Sequence, residues 1–154
     1  MNIEMICTII STFGALFSII AAIVTISHNK YLAINEFFTK MEEKDFVEAR
    51  KHVYNTNYSG AKDELKDEKA AEVVNFFHHW GYMVRTRRMP LSVFAGSTGV
   101  GTCKLYRQLE KYISSEYRNA QDGIYGEDFV WLNNQIQKKY RYVFARLNEP
   151  SADS

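Results

Sequence analysis

The chain has 154 residues, a formal net charge of +1, 46% hydrophobic and 24% charged residues, and a mean hydropathy of -0.31. One uncharged run, Met5 to Ile26, would be about 33 Å long as a helix, enough to cross a hydrocarbon core of about 30 Å. The polar remainder holds no second span and one domain's worth of chain, which excludes a multipass carrier and a multidomain enzyme; near-neutral charge gives no global pull toward long nucleic acid.

The opening Met1-Asn2-Ile3-Glu4 lacks the basic residues of a cleaved leader, so the run reads as an uncleaved signal-anchor. The expected divisions are a tail over 1–4, a transmembrane anchor over 5–27, a juxtamembrane segment over 28–39, a helical cytosolic domain over 40–148 and a flexible tail over 149–154. Lys30, Lys40 and Lys44 follow the run and no Lys or Arg precedes it, which favours a single-pass inner-membrane protein with its N-terminus outside. Within the run, Thr8, Ser11, Ala15, Ser18, Ala22 and Thr25 form a stripe of small residues. Such residues admit close helix–helix approach in lipid, so a homo-oligomer is expected.

Downstream, Thr39-Lys40-Met41-Glu42 has capping-box spacing and predicts a helix over 40–55 that buries Phe46, Ala49 and Val53. A second helix, over 62–88, would bury Ala70, Val73, Val74, Phe77, Trp80, Gly81 and Val84, and would end in Arg85, Arg87 and Arg88 before Pro90. Residues 91–95 suit a short helical turn. A third helix, over 99–119, carries Cys103, Tyr106, Leu109, Ile113 and Tyr117 on one face and Lys104, Arg107, Lys111 and Arg118 on the other. The last, over 127–147, has Phe129, Leu132, Ile136, Tyr140, Val143 and Leu147 inward, with Trp131 and Tyr142 off that face as candidate subunit contacts. No stretch alternates as a strand does, so the fold class is all-α: one transmembrane helix and a four- to five-helix cytosolic domain.

Gly96 and Gly101 have the spacing of a phosphate loop, but Thr102 takes the lysine position and no strand precedes it. A milder reading keeps the residues: Ser97 and Thr98 at a helix N-terminus, with Arg85, Arg87, Arg88, Lys104 and Arg107, could hold an anionic ligand. The alternative is that these groups cap helices and face solvent. The histidines and Cys103 lack the partners of a metal site or a nucleophile, and the carboxylates sit in solvent-like runs. No catalytic residue, metal or cofactor is expected.

Three stretches carry a resemblance: Phe46-Val47-Glu48-Ala49-Arg50-Lys51-His52-Val53, the Val74–Val84 segment, and Trp131 with Ile136 and Arg141. Over most of residues 30–145 the chain resembles a family of small bacterial single-pass membrane proteins whose helical cytosolic domain has no assigned function; that family implies no site residues. In layout, and partly over residues 85–107, the chain is also similar to membrane accessory effectors of type III CRISPR systems. That resemblance implies a non-enzymatic domain that binds a cyclic oligonucleotide messenger, oligomerises and acts on the membrane in antiviral defence. The expectation is therefore a self-associating membrane effector with an anionic ligand; the alternative is a membrane-anchored protein-interaction scaffold without one.

Overall fold

A single helix, α1 (Ile3–Glu42), runs for 40 residues, about 60 Å at the rise of an α-helix. In the computed structural model the backbone is described for residues 3–115 and 125–141, and side chains for 11–115 and 125–141. The expected positions of Tyr117, Arg118, Tyr142, Val143, Leu147, the side chain of Thr8 and the 149–154 tail lie outside these residues. Among the described residues four more α-helices follow: α2 (Lys44–Asn55), α3 (Glu68–Arg85), α4 (Ser97–Ile113) and α5 (Glu127–Lys139). Short 3-10 turns, Lys62–Lys66 and Leu91–Phe94, precede α3 and α4. There is no strand among the described residues.

α1 has two environments. Phe13, Leu16, Phe17, Ile19, Ile20, Ile23, Val24 and Ile26 are each more than half exposed, and nothing among the described residues covers them. This stretch is long and apolar enough to cross a membrane. Two of its hydroxyls turn back on the helix: Ser18 Oγ donates to the Gly14 carbonyl at 2.9 Å and Thr25 Oγ1 to the Ala21 carbonyl at 2.8 Å. Such back-bonding leaves fewer unsatisfied donors on an apolar surface.

The last turns of α1 belong to the core. Ala33 is buried and Phe37 is fully so, its ring 5.3 Å from those of both Trp80 and Phe94 and 5.8 Å from Phe76. Phe37 thus lies beside the middle of α3, while Ile26 and Lys30 share a cleft with Met83, Arg87 and Arg88 at its C-terminal end. The two helices are therefore antiparallel, and α3 points its C-terminus back along α1 toward the exposed stretch.

The capping box expected to start a helix at Thr39 is instead the last turn of α1, so no boundary separates the 28–39 segment from the span candidate. The chain breaks four residues later, at Glu43, without glycine or proline. The reason is rotational. Phe37 and Phe46 are nine residues apart, and a continuous helix would set them about 180° apart, on opposite faces. Breaking at Glu43 lets both reach one core. Arg50 Nη2 donates to the Met41 carbonyl at 2.8 Å, satisfying an acceptor that the end of α1 leaves open.

α2 buries the expected Phe46, Ala49 and Val53, and α3 all seven of its expected core residues. α3 starts at Glu68 rather than 62 because Asp67 caps it, its carboxylate accepting the Ala70 N–H at 3.0 Å. It ends at Arg85 rather than 88. α3 packs closely on α5 through Gly81, where a Cβ would collide with the Asp128 carbonyl. On α4, Cys103, Leu109 and Ile113 are buried as expected, joined by Leu105 and Tyr112; Tyr106 is partly exposed.

Because Phe37 joins α1 to α3 and to the Leu91–Phe94 turn, its truncation removes the shared contact. Phe37→Ala is expected to cost about 3–5 kcal/mol, read as a lower melting temperature of the full chain in neutral detergent with the helical circular dichroism retained at low temperature.

Candidate functional site

The end of α3 is closed by a Schellman motif. The Arg88 N–H donates to the Met83 carbonyl at 2.9 Å and the Arg87 N–H to the Val84 carbonyl at 3.0 Å, while Thr86 Oγ1 donates to the Tyr82 carbonyl at 2.8 Å. The residue after the cap must turn left-handed, a position usually given to glycine. Here it is Arg87, with φ of 62°, the one non-glycine residue of positive φ among those described. Backbone N–H groups thus satisfy the last carbonyls, and the guanidinium groups of Arg87 and Arg88 are not consumed as helix caps.

Arg87 and Arg88 line a cleft of about 440 Å³ together with Met83 and with Ile26, Asn29 and Lys30 of α1. Among the described residues three cations, one amide and two apolar side chains face this space, and no carboxylate does. Among the described residues no acidic side chain pairs with Lys30, Arg87 or Arg88. Like charges gathered without a counter-ion raise the local potential and favour an anion.

The seven residues expected to share one anion site lie in separate places. Arg85 is turned toward α5, with Nε 3.0 Å from Asp128 Oδ1 and Nη1 3.4 Å from Glu127 Oε1. Asp128 is nearly buried, and its backbone N–H donates to His78 Nδ1 at 3.2 Å, so Arg85 is spent on holding α3 to α5. Ser97 and Thr98 line a different, smaller cleft of about 180 Å³, with Arg50, Tyr54, Gly101 and Thr102 among its walls. The charged wall there is Arg50, already bonded to the Met41 carbonyl and lying 5.3 Å over the Phe46 ring. The glycine-rich loop has a packing reason: a Cβ on Gly99 would collide with the Phe94 carbonyl. Lys104 and Arg107 are exposed on α4 and line neither cleft.

Lys30 and Asn29 are the site residues that sequence reasoning missed. Lys30 entered only as a charge after the apolar run; its place four residues beyond Ile26 was the available signal, and Arg87 and Arg88 reach it only through the fold. Of the expected self-association residues, Ser11, Ala15, Ser18 and Ala22 lie on the exposed stretch of α1. Trp131 is partly buried against the core.

Two further groups resemble chemical machinery. Asp67 Oδ2 is bonded by His52 Nε2 and by the Tyr58 hydroxyl, each at 2.8 Å. Burial pushes the Asp67 carboxyl up, but the Ala70 N–H and the His52 and Tyr58 bonds outweigh it and hold it below the ordinary carboxylate value. These bonds tie α2 and the Tyr58 loop to the start of α3, which is a structural duty. Burial, only partly offset by Arg107, pushes the Cys103 thiol up to about 12. At neutral pH it stays protonated and is a poor nucleophile. Among the described residues no three His, Cys, Asp or Glu side chains are grouped as a metal site would need.

Arg87→Gly is expected to stabilise the fold by about 1 kcal/mol by relieving the left-handed backbone, measured as a rise in the melting temperature of the full chain. A fall would mean that the Arg87 side chain holds the turn.

Comparison of the chain with protein-family models, with curated proteins and with solved structures finds no match, so the functional reading rests on the geometry of the long helix and its basic cleft.

Proposed function

We propose that the chain is a single-pass membrane protein whose helical domain is a non-enzymatic binding module for a phosphate-bearing anion. The observation that carries this reading is the division of α1. Apolar side chains as open as Phe17, 72% exposed, occupy one stretch, and Phe37, fully buried, anchors the other. A contiguous apolar surface of that extent is costly in water and is covered without cost by lipid.

The sign of the charges supports an orientation. Lys30, Arg87 and Arg88 cluster where α1 leaves its apolar stretch. The positive-inside rule then sets the domain in the cytoplasm and the N-terminus outside the inner membrane. The Ser11, Ala15, Ser18 and Ala22 stripe supports self-association through the span. The cleft suits a phosphate group, of which a cyclic oligonucleotide messenger is one soluble bearer. The scaffold reading draws on a separate feature: Lys104, Arg107 and Lys111 are exposed along α4 and line neither cleft, as a surface for an acidic protein would be.

Expressed in bacteria with a C-terminal tag, the full chain is expected to remain in the membrane pellet after alkaline carbonate washing. The tag should be cleaved by protease only once the inner membrane is opened. Release by carbonate would overturn the anchor; cleavage in intact spheroplasts would reverse the orientation.

A further inference from the structure

The basic cleft has a fixed height along α1. If the apolar run ending at Ile26 fills the hydrocarbon core, the helical rise sets Lys30 about 6 Å further on. The headgroup layer on each side of a bilayer is roughly 5–8 Å thick. Lys30 therefore stands among the headgroups. Arg87 and Arg88 line the same cleft as Ile26, Asn29 and Lys30, so the antiparallel course of α3 brings them to the same level. Two cations more than fifty residues away in sequence are thus delivered to the membrane surface by the fold.

From this height, and resting on the reading of α1 as a span, we infer that the cleft holds the phosphate of an acidic phospholipid in the leaflet that α1 exits. Lys30, Arg87 and Arg88 donate to the phosphate oxygens, and guanidinium groups suit this because they present paired donors to an oxyanion. Asn29 offers an amide to headgroup hydroxyls. Ile26 and Met83 give the cleft an apolar wall of the kind that the glycerol ester region of a lipid meets and a soluble nucleotide does not need. About 440 Å³ accommodates a headgroup.

The backbone at Arg87 is an independent observation. Glycine would close the Schellman turn without left-handed strain, yet the position holds an arginine that lines the cleft. A strained residue kept at a surface turn fits a side chain that is needed where the turn delivers it.

The full chain, reconstituted in nanodiscs of mixed phosphatidylcholine and phosphatidylglycerol, would be released into a native mass spectrometer and the co-retained lipids counted. Phosphatidylglycerol should be enriched over phosphatidylcholine. The enrichment should fall about fivefold in each of Arg88→Gln and Arg87→Gly, as expected for one cation lost near an anionic surface. Lys69→Gln, an exposed lysine at the opposite end of α3, should leave it unchanged. Arg87→Gly keeps the turn, so a loss there is not a loss of fold. Equal retention of the two lipids by an inserted chain would overturn the lipid assignment and leave the span reading intact. A chain that carbonate removes from membranes would overturn both. In a parallel arm, cyclic oligonucleotides are added to the full chain in zwitterionic detergent. A melting shift that Arg87→Gly abolishes would overturn the lipid assignment in favour of a soluble phosphate; no shift is the result expected.

Discussion

Phe37 is the contact on which the other features depend. It sits on the same helix as the exposed apolar stretch, is fully buried, and meets Phe76, Trp80 and Phe94 within 6 Å. From Ser27 to Glu42 that helix contains neither glycine nor proline, so no residue type that commonly kinks a helix separates the core contact from the apolar stretch. The domain is fused to α1 rather than tethered to it.

The same contact explains the charge distribution. With Phe37 docked on the middle of α3, the antiparallel geometry leaves the last turn of α3 beside residues 26–30 of α1. That turn is capped by its own backbone N–H groups, which frees Arg87 and Arg88 for another task. Arg85, two residues earlier, is spent on Glu127 and Asp128. Three arginines that read as one basic cluster in the sequence therefore have two functions: one clasps α5 and two face the cleft.

Much of the helical core was legible because its spacing is strict. Ala70, Val73, Val74, Phe77, Trp80, Gly81 and Val84 fall on one stripe, and all are buried. The ends of α1 and α2 were not legible. Thr39 to Glu42 has the letters of a capping box, but the pattern also occurs inside a continuous helix, and only the need to turn Phe46 to the same core as Phe37 decides where the chain breaks. The start of α3 was displaced for a local reason, the cap from Asp67. In the candidate site, the cations Arg87 and Arg88 were visible as residues, whereas their neighbours were not. Lys30 meets them across a long sequence separation, and Ser97 and Thr98, close in sequence, line another cleft.

The central claim is that docking of α1 through Phe37 sets the end of α3 at the membrane surface. The direct measurement is the immersion depth of nitroxide labels on the full chain in liposomes, at Arg88→Cys and at Lys69→Cys, with Cys7 and Cys103 replaced by alanine. The geometry predicts a label at position 88 within the headgroup layer. The label at position 69 should lie in bulk water, since α3 runs for about 25 Å between its ends. Equal water exposure of the two labels would contradict the account.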